Sequence, residues 1–176
     1  RRRHTRYGTV TGVQTCALPI STRRVTAVDL QVKTNNGEKW AMVTAYDALT
    51  AGIIEEAGVP AILVGDSAAM VVHGHDSTLP VTMEEMLSMV ASVVRGTRSA
   101  FVIADLPFGS YQSSVAQAVE NSARFLKEAG AHAVKMEGGA VVLPQIEAVV
   151  AAGIPVIGHL GLTPQSVNAL GGYRVQ

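Results

Sequence analysis

With 176 residues, 48% of them hydrophobic and 16% charged, the chain has the length and composition of one soluble domain with a substantial core. No apolar run approaches the roughly 18 residues that span a bilayer, which excludes a membrane-crossing helix. Formal charge is zero overall, yet residues 1–28 hold six arginines and no acid, while residues 29–176 set 8 Lys/Arg against 14 Asp/Glu. A body at −6 argues against nucleic acid as a partner.

Residues 1–21 differ from the rest. They show no apolar period and no acid, and they hold the only cysteine, Cys16. An Arg-rich, acid-poor stretch is compatible with a transit peptide. A secretory signal lacks its continuous apolar region here, and a nucleic-acid arm lacks a structured context. The string GVQTCALPIS is similar to translated sequencing-adapter sequence, so this leader is expected to be non-native and disordered, with the native start near Thr22–Val25. Residues 22–176 are then one domain without cysteine, which removes disulfides and thiol catalysis and fits a reducing cytoplasm.

The body alternates between short apolar runs and helical patterns. Trp40–Ala45 predicts a strand, Ala48–Ala57 a helix stopped by Gly58, and Ala61–Val64 a second strand. Val64–Thr82 then reads as a long polar loop, about three times the usual connection, and long ordered loops are usually functional. Met83–Arg95 predicts a helix whose methionines fill a core. Ala100–Ala104 predicts a third strand, Val115–Glu128 a helix ending at Gly130, Ala133–Met136 a fourth strand, Leu143–Ala151 a helix, and Pro155–Gly158 a fifth strand. No helix is predicted to close the chain after the fifth strand, and Tyr173–Gln176 reads as loop.

This alternation means βαβ units on a parallel sheet. A doubly wound sheet normally carries glycines in its first βα turn, and here that turn is Tyr46-Asp47-Ala48. A (β/α)8 barrel instead places functional residues at the C-terminal ends of successive strands. Asp66 follows strand two, Asp105 follows strand three and Glu137 ends strand four. The expectation is a TIM barrel cut off after about five of its eight units.

Three acids at one end of neighbouring strands would repel and raise each other's pKa values. A divalent cation removes the conflict, and all-oxygen ligands favour Mg²⁺ or Mn²⁺ over Zn²⁺. Lys135 and Glu137 are two apart on a strand and share a face. A metal beside a lysine suits a 2-oxo acid: the metal chelates carboxylate and carbonyl, and the neighbouring carbon loses its proton to give an enolate. Each feature also has a plainer reading, since a lone strand-end Asp is often a cap. His73 and His75 read as loop residues and His132 as structural, while His159, ending strand five, is a possible pocket residue. The plainer reading of Gly161–Gln165 is a turn and helix start, with Thr163 as N-cap and Pro164 at the first helical position.

Seven blocks then carry a resemblance: Thr44–Asp47, Val64–Ser67, Asp76–Pro80, Ala104–Phe108, Val134–Gly139, Gly158–Val167 and Gly171–Gln176. In order and spacing the chain resembles the ketopantoate (3-methyl-2-oxobutanoate) hydroxymethyltransferase family from about Trp40 to its last residue. The resemblance implies a barrel of the phosphoenolpyruvate/pyruvate type and large homo-oligomers, commonly decamers, in a cytoplasmic enzyme of pantothenate synthesis. It implies Mg²⁺ held by Asp66, Asp105 and Glu137, and a 2-oxo acid held by Asp66, Ser67, Asp105 and Lys135. The Mg-bound 3-methyl-2-oxobutanoate would lose its C3 proton, and the enolate would take the one-carbon unit of 5,10-methylenetetrahydrofolate, giving 2-dehydropantoate and tetrahydrofolate. The family's general base is a glutamate on the sixth strand, beyond Gln176, so no catalytic base is assigned here and Glu147 is not promoted to it. The 176-residue piece is therefore expected to be inactive. Two rivals stand beside this reading. One is a Mg²⁺-dependent lyase or mutase of the same superfamily, which would typically need a reactive cysteine; the other is a non-catalytic, doubly wound binding module.

Overall fold

The structure, a computed structural model, describes residues 23–172. The expected leader with Cys16, and the closing stretch 173–176, lie outside the described residues. Five strands form one parallel sheet in the order β1-β2-β3-β4-β5, comprising β1 (Met42–Thr44), β2 (Ala61–Val64), β3 (Phe101–Asp105), β4 (Ala133–Glu137) and β5 (Val156–His159). Every strand pairs with the one before it, and the order never reverses. A doubly wound sheet needs such a reversal; a barrel runs through its strands in sequence. The sheet therefore excludes the binding-module architecture.

Local chemistry sets the helices. In α1 (Ala27–Asn35) and α4 (Met83–Gly96), Thr26 and Thr82 cap the backbone while Asp29 and Glu85 reach back, completing capping boxes. Asp47 caps α2 (Ala48–Glu56), and Ser114 caps α5 (Val115–Ala129), which ends on Gly130 in the left-handed region. Between β2 and α4 lies a four-residue helix, α3 (Ala68–Val71), and after β4 come a 3₁₀ turn and α6 (Leu143–Ala151). After β5 a 3₁₀ turn (Pro164–Ser166) leads into the short α7 (Val167–Leu170).

Three expectations need correction. The long polar loop is broken by α3, because Ala68 and Ala69 are buried and pull that segment into the core. A short helix does follow the fifth strand. Thr163 precedes its 3₁₀ turn but makes no side-chain cap, because its residue opens a tight turn, not an α-helix.

The two sheet faces are covered differently. Ile62, Val64, Val102, Ala104, Val134 and Met136 pack under a layer in which α2, α4, α5 and α6 follow one another, with Val90, Phe125 and Val149 among the residues fully buried against them. Each of the larger of these side chains contributes about 1.5–3 kcal/mol by leaving water. Ala61, Phe101, Ile103 and Ala133 point to the other face, where Leu30 of α1 covers them. By strand alternation, Asp105, Lys135 and Glu137 continue that second face toward the C-terminal strand ends. One face thus carries an apolar plug at one end and a charged cluster at the other.

Candidate active site

The cluster is built by register. Asp105 pairs with Lys135, and Glu137 with His159, on adjacent strands. Lys135 Nζ donates to both Asp105 carboxylate oxygens, at 2.6 and 2.7 Å, and lies 3.9 Å from Glu137 Oε2. His159 Nδ1 is 3.4 Å from the same Glu137 oxygen. Asp66, two residues past β2, donates its backbone N–H to Asp105 Oδ2 at 3.1 Å. Asp66, Asp105, Lys135 and Glu137 are all buried, and His159 is partly exposed. Ser67 stands beside Asp66 with its hydroxyl 2.9 Å from the Tyr46 hydroxyl. Gly65 makes the turn possible, since a Cβ there would lie 2.8 Å from Ser67 Oγ and 3.9 Å from Asp105 Oδ2.

Electrostatics follow from burial. Desolvation pushes the Asp105 carboxyl up; the Lys135 ammonium pulls it back, and the Asp66 charge adds to the rise. Burial also raises Glu137, against the Gln165 N–H and the Lys135 charge. Burial lowers His159, with Lys135 in the same direction. Three carboxylates around one ammonium leave the cluster short of positive charge. Glu137 Oε2 is buried without a hydrogen-bond partner among the described residues. An oxygen-only donor set with an orphaned carboxylate oxygen and excess negative charge suits a hard divalent cation. Among the described residues no three His, Cys, Asp or Glu side chains are gathered into a ready-made metal shell, and Lys135 pairs with Asp105.

The sequence-predicted residues Asp66, Ser67, Asp105, Lys135, Glu137 and His159 thus share one place. His73 and His75 are exposed, and Glu147 is exposed on α6. Sequence reasoning missed two residues. Gln165 Nε2 donates to Asp66 Oδ2 and its backbone N–H donates to Glu137 Oε1. The fully buried Tyr111 sets its hydroxyl 2.8 Å from both Gln165 Oε1 and the Glu137 carbonyl. A neutral amide 99 residues from its partner carries no periodic or charge signal.

A sequence model described as ketopantoate hydroxymethyltransferase matches residues 24–176. The chain belongs to the ketopantoate hydroxymethyltransferase family. It is 64% identical over 154 residues to the 3-methyl-2-oxobutanoate hydroxymethyltransferase of Thermobifida fusca (strain YX), covering 88% of this chain and 55% of the relative. It is 60% identical over 153 residues to that of Frankia casuarinae, covering 87% and 52%. The chain spans about half the length of these curated relatives. Solved structures of similar fold include the phosphoenolpyruvate phosphomutase of Streptomyces platensis subsp. rosaceus (TM-score 0.62, 19% identity, 76% of this chain and 53% of that one). Another is a phosphonopyruvate hydrolase solved with oxalate and Mg²⁺ (TM-score 0.61, 18% identity, 81% and 53%). The chain's five described βα units accordingly have the fold of part of a TIM barrel.

Proposed function

We propose that this chain supplies the metal- and 2-oxo-acid-binding half of a 3-methyl-2-oxobutanoate hydroxymethyltransferase. The observation that carries the reading is the Lys135–Asp105 pair set among Asp66 and Glu137 at the C-terminal strand ends, in a chain of this family. Asp66, Asp105 and Glu137 would hold Mg²⁺, with Mn²⁺ a substitute of similar chemistry. A bound Mg²⁺ supplies Lewis-acid polarisation of the substrate's carbonyl. Lys135 is placed to hold the substrate carboxylate, and Ser67 to donate a hydrogen bond beside Asp66. C3 of the bound substrate would lose its proton to give a carbanion equivalent. That carbon would bond to the methylene carbon of 5,10-methylenetetrahydrofolate as the methylene's two C–N bonds to the folate break; one water supplies the new hydroxyl, its remaining proton and the C3 proton end on the two nitrogens, and 2-dehydropantoate and tetrahydrofolate leave. No described residue is assigned as the base, and exposed Glu147 on α6 stands apart from the cluster. The cysteine-free body supports a cytoplasmic setting, and homo-oligomeric assembly is part of the same reading.

The test is exchange of the C3 proton of 3-methyl-2-oxobutanoate into D₂O, followed by NMR with Mg²⁺, Mn²⁺ or EDTA. It uses the 176-residue chain and a chimaera completed with the remainder of the Thermobifida fusca relative. Metal-dependent exchange in the chimaera, reduced at least 100-fold by Asp105→Ala and absent from the 176-residue chain, is expected for loss of a group essential to the step. A soluble chimaera that gives no exchange with metal and folate both supplied sinks the reading.

A further inference from the structure

Gln165 has no part in the reading above, yet it bridges two of the site's acids. We propose that Gln165 is a positioning residue whose amide and backbone N–H orient the Asp66 and Glu137 carboxylates for a divalent cation, with Tyr111 and Gln112 locking the amide. The proposal rests on the metal-binding reading just given.

The orientation of the amide is anchored at both ends by backbone groups of known polarity. The Gly109 N–H donates to Gln112 Oε1 at 2.8 Å, which turns the Gln112 NH₂ toward Gln165 Oε1, 3.0 Å away. Gln165 Oε1 is thereby an acceptor, and the Tyr111 hydroxyl lies 2.8 Å from it. The Gln165 NH₂ must then face the other way, where it donates to the Leu106 carbonyl and to Asp66 Oδ2, both at 2.9 Å. A flipped amide would set oxygen against the Leu106 carbonyl and the Asp66 carboxylate, and NH₂ against NH₂. Inside a buried cluster that arrangement loses several hydrogen bonds at once.

The consequence reaches both acids. Carboxylate torsions are soft, and Lys135 attracts every carboxylate near it. Gln165 gives Asp66 Oδ2 a fixed donor, and its backbone N–H holds Glu137 Oε1 at 2.7 Å. Glu137 Oε2 is left without a hydrogen bond, 3.4 Å from His159 Nδ1 and 3.9 Å from Lys135 Nζ. Without these donors both carboxylates are free to turn onto the ammonium and away from a metal. Pro164, at the first position of the 3₁₀ turn, fixes the backbone from which Gln165 reaches in.

The experiment measures Mn²⁺ affinity of the 176-residue chain by EPR, with urea midpoints recorded separately. Gln165→Met keeps the volume and removes the amide; it is expected to weaken Mn²⁺ binding about 10–100-fold, the range for residues that orient metal ligands. Tyr111→Phe should weaken it by a smaller factor. Should Gln165→Met fail to fold, Gln112→Leu, at an exposed position, carries the test: its released amide predicts a loss of about three- to tenfold. A folded Gln165→Met within twofold of the parent overturns the proposal alone. Absence of Mn²⁺ binding in the parent chain overturns the functional reading, and this proposal with it.

Discussion

His132 joins two strands with an uncharged ring. Its Nδ1 accepts the Val102 N–H at 2.9 Å, while its own backbone N–H donates to the Val102 carbonyl. Burial, helped by the Arg24 charge, pushes its pKa down to about 4, against about 6.5 in an unfolded chain. Between those values the unfolded chain binds a proton that the folded one refuses. Stability from this group is therefore complete above pH 6.5 and is lost as pH falls toward 4, by about 1–2 kcal/mol once partial exposure is allowed for. Urea midpoints at pH 7.5 and 4.5 should differ more for the parent than for His132→Leu, and the variant should be weaker at pH 7.5 because Val102 N–H loses its acceptor. An equal pH drop in both chains refutes the linkage. The same residue scale explains what was legible in the site. Asp105, Lys135 and Glu137 could be placed from sequence because strand period two puts alternate residues on one face, and charge on a buried strand is conspicuous. Gln165 and Tyr111 could not, because their roles depend on contacts across the sheet between neutral groups.

At the scale of elements, the crossing of α2 and α4 depends on one missing methyl group. A Cβ on Gly96 would lie 2.6 Å from Ala48 Cα and 2.8 Å from its carbonyl carbon, backbone atoms that cannot turn aside. Gly96→Ala gains helix propensity of about 1 kcal/mol but forces the helices apart, which costs more in a close-packed layer. A net destabilisation of about 1–3 kcal/mol is expected, read as a lower urea midpoint with an unchanged slope; a midpoint at or above the parent's would show that α2 yields freely. Elements with long apolar period or clear stops were legible to within a residue or two, as α4, α5 and β2 show. β1 is shorter than Trp40–Ala45: Met42–Thr44 pair in register with Ala61–Leu63, and past them the Ala45 N–H adds one bond to the Leu63 carbonyl. α1 was not predicted, because its face is too mixed to show a period; the structure shows it started by the Thr26–Asp29 capping box. The buried pair Ala68–Ala69, not any pattern in the loop, decides α3.

The whole molecule is a sheet that runs through its strands in order and stops at β1 on one side and β5 on the other within the described residues. Met42 and Val43 on β1 are 41% and 39% exposed, and β5 is covered only in part. Unpaired parallel edges carrying apolar side chains are templates for further strands. In a closed barrel the same groups pair with additional βα units, which this chain's order and its family both call for. The edges thus make a prediction that separates packing from chemistry. The 176-residue chain should self-associate as concentration rises, seen as growth in weight-average mass by sedimentation equilibrium. Val43→Lys, a charge set on the β1 edge, should suppress that growth while leaving Mn²⁺ affinity at dilute concentration unchanged, because Val43 lies outside the acid cluster. The chimaera completed with the Thermobifida fusca remainder should form a discrete species, since its extra strands occupy both edges. A 176-residue chain that stays monomeric at every concentration would mean that both edges are protected in a way the exposed β1 side chains do not account for. Association that Val43→Lys leaves untouched would move the sticky surface from β1 to β5 or to the exposed apolar side chains Leu49 and Ile53 on α2, 75% and 60% exposed.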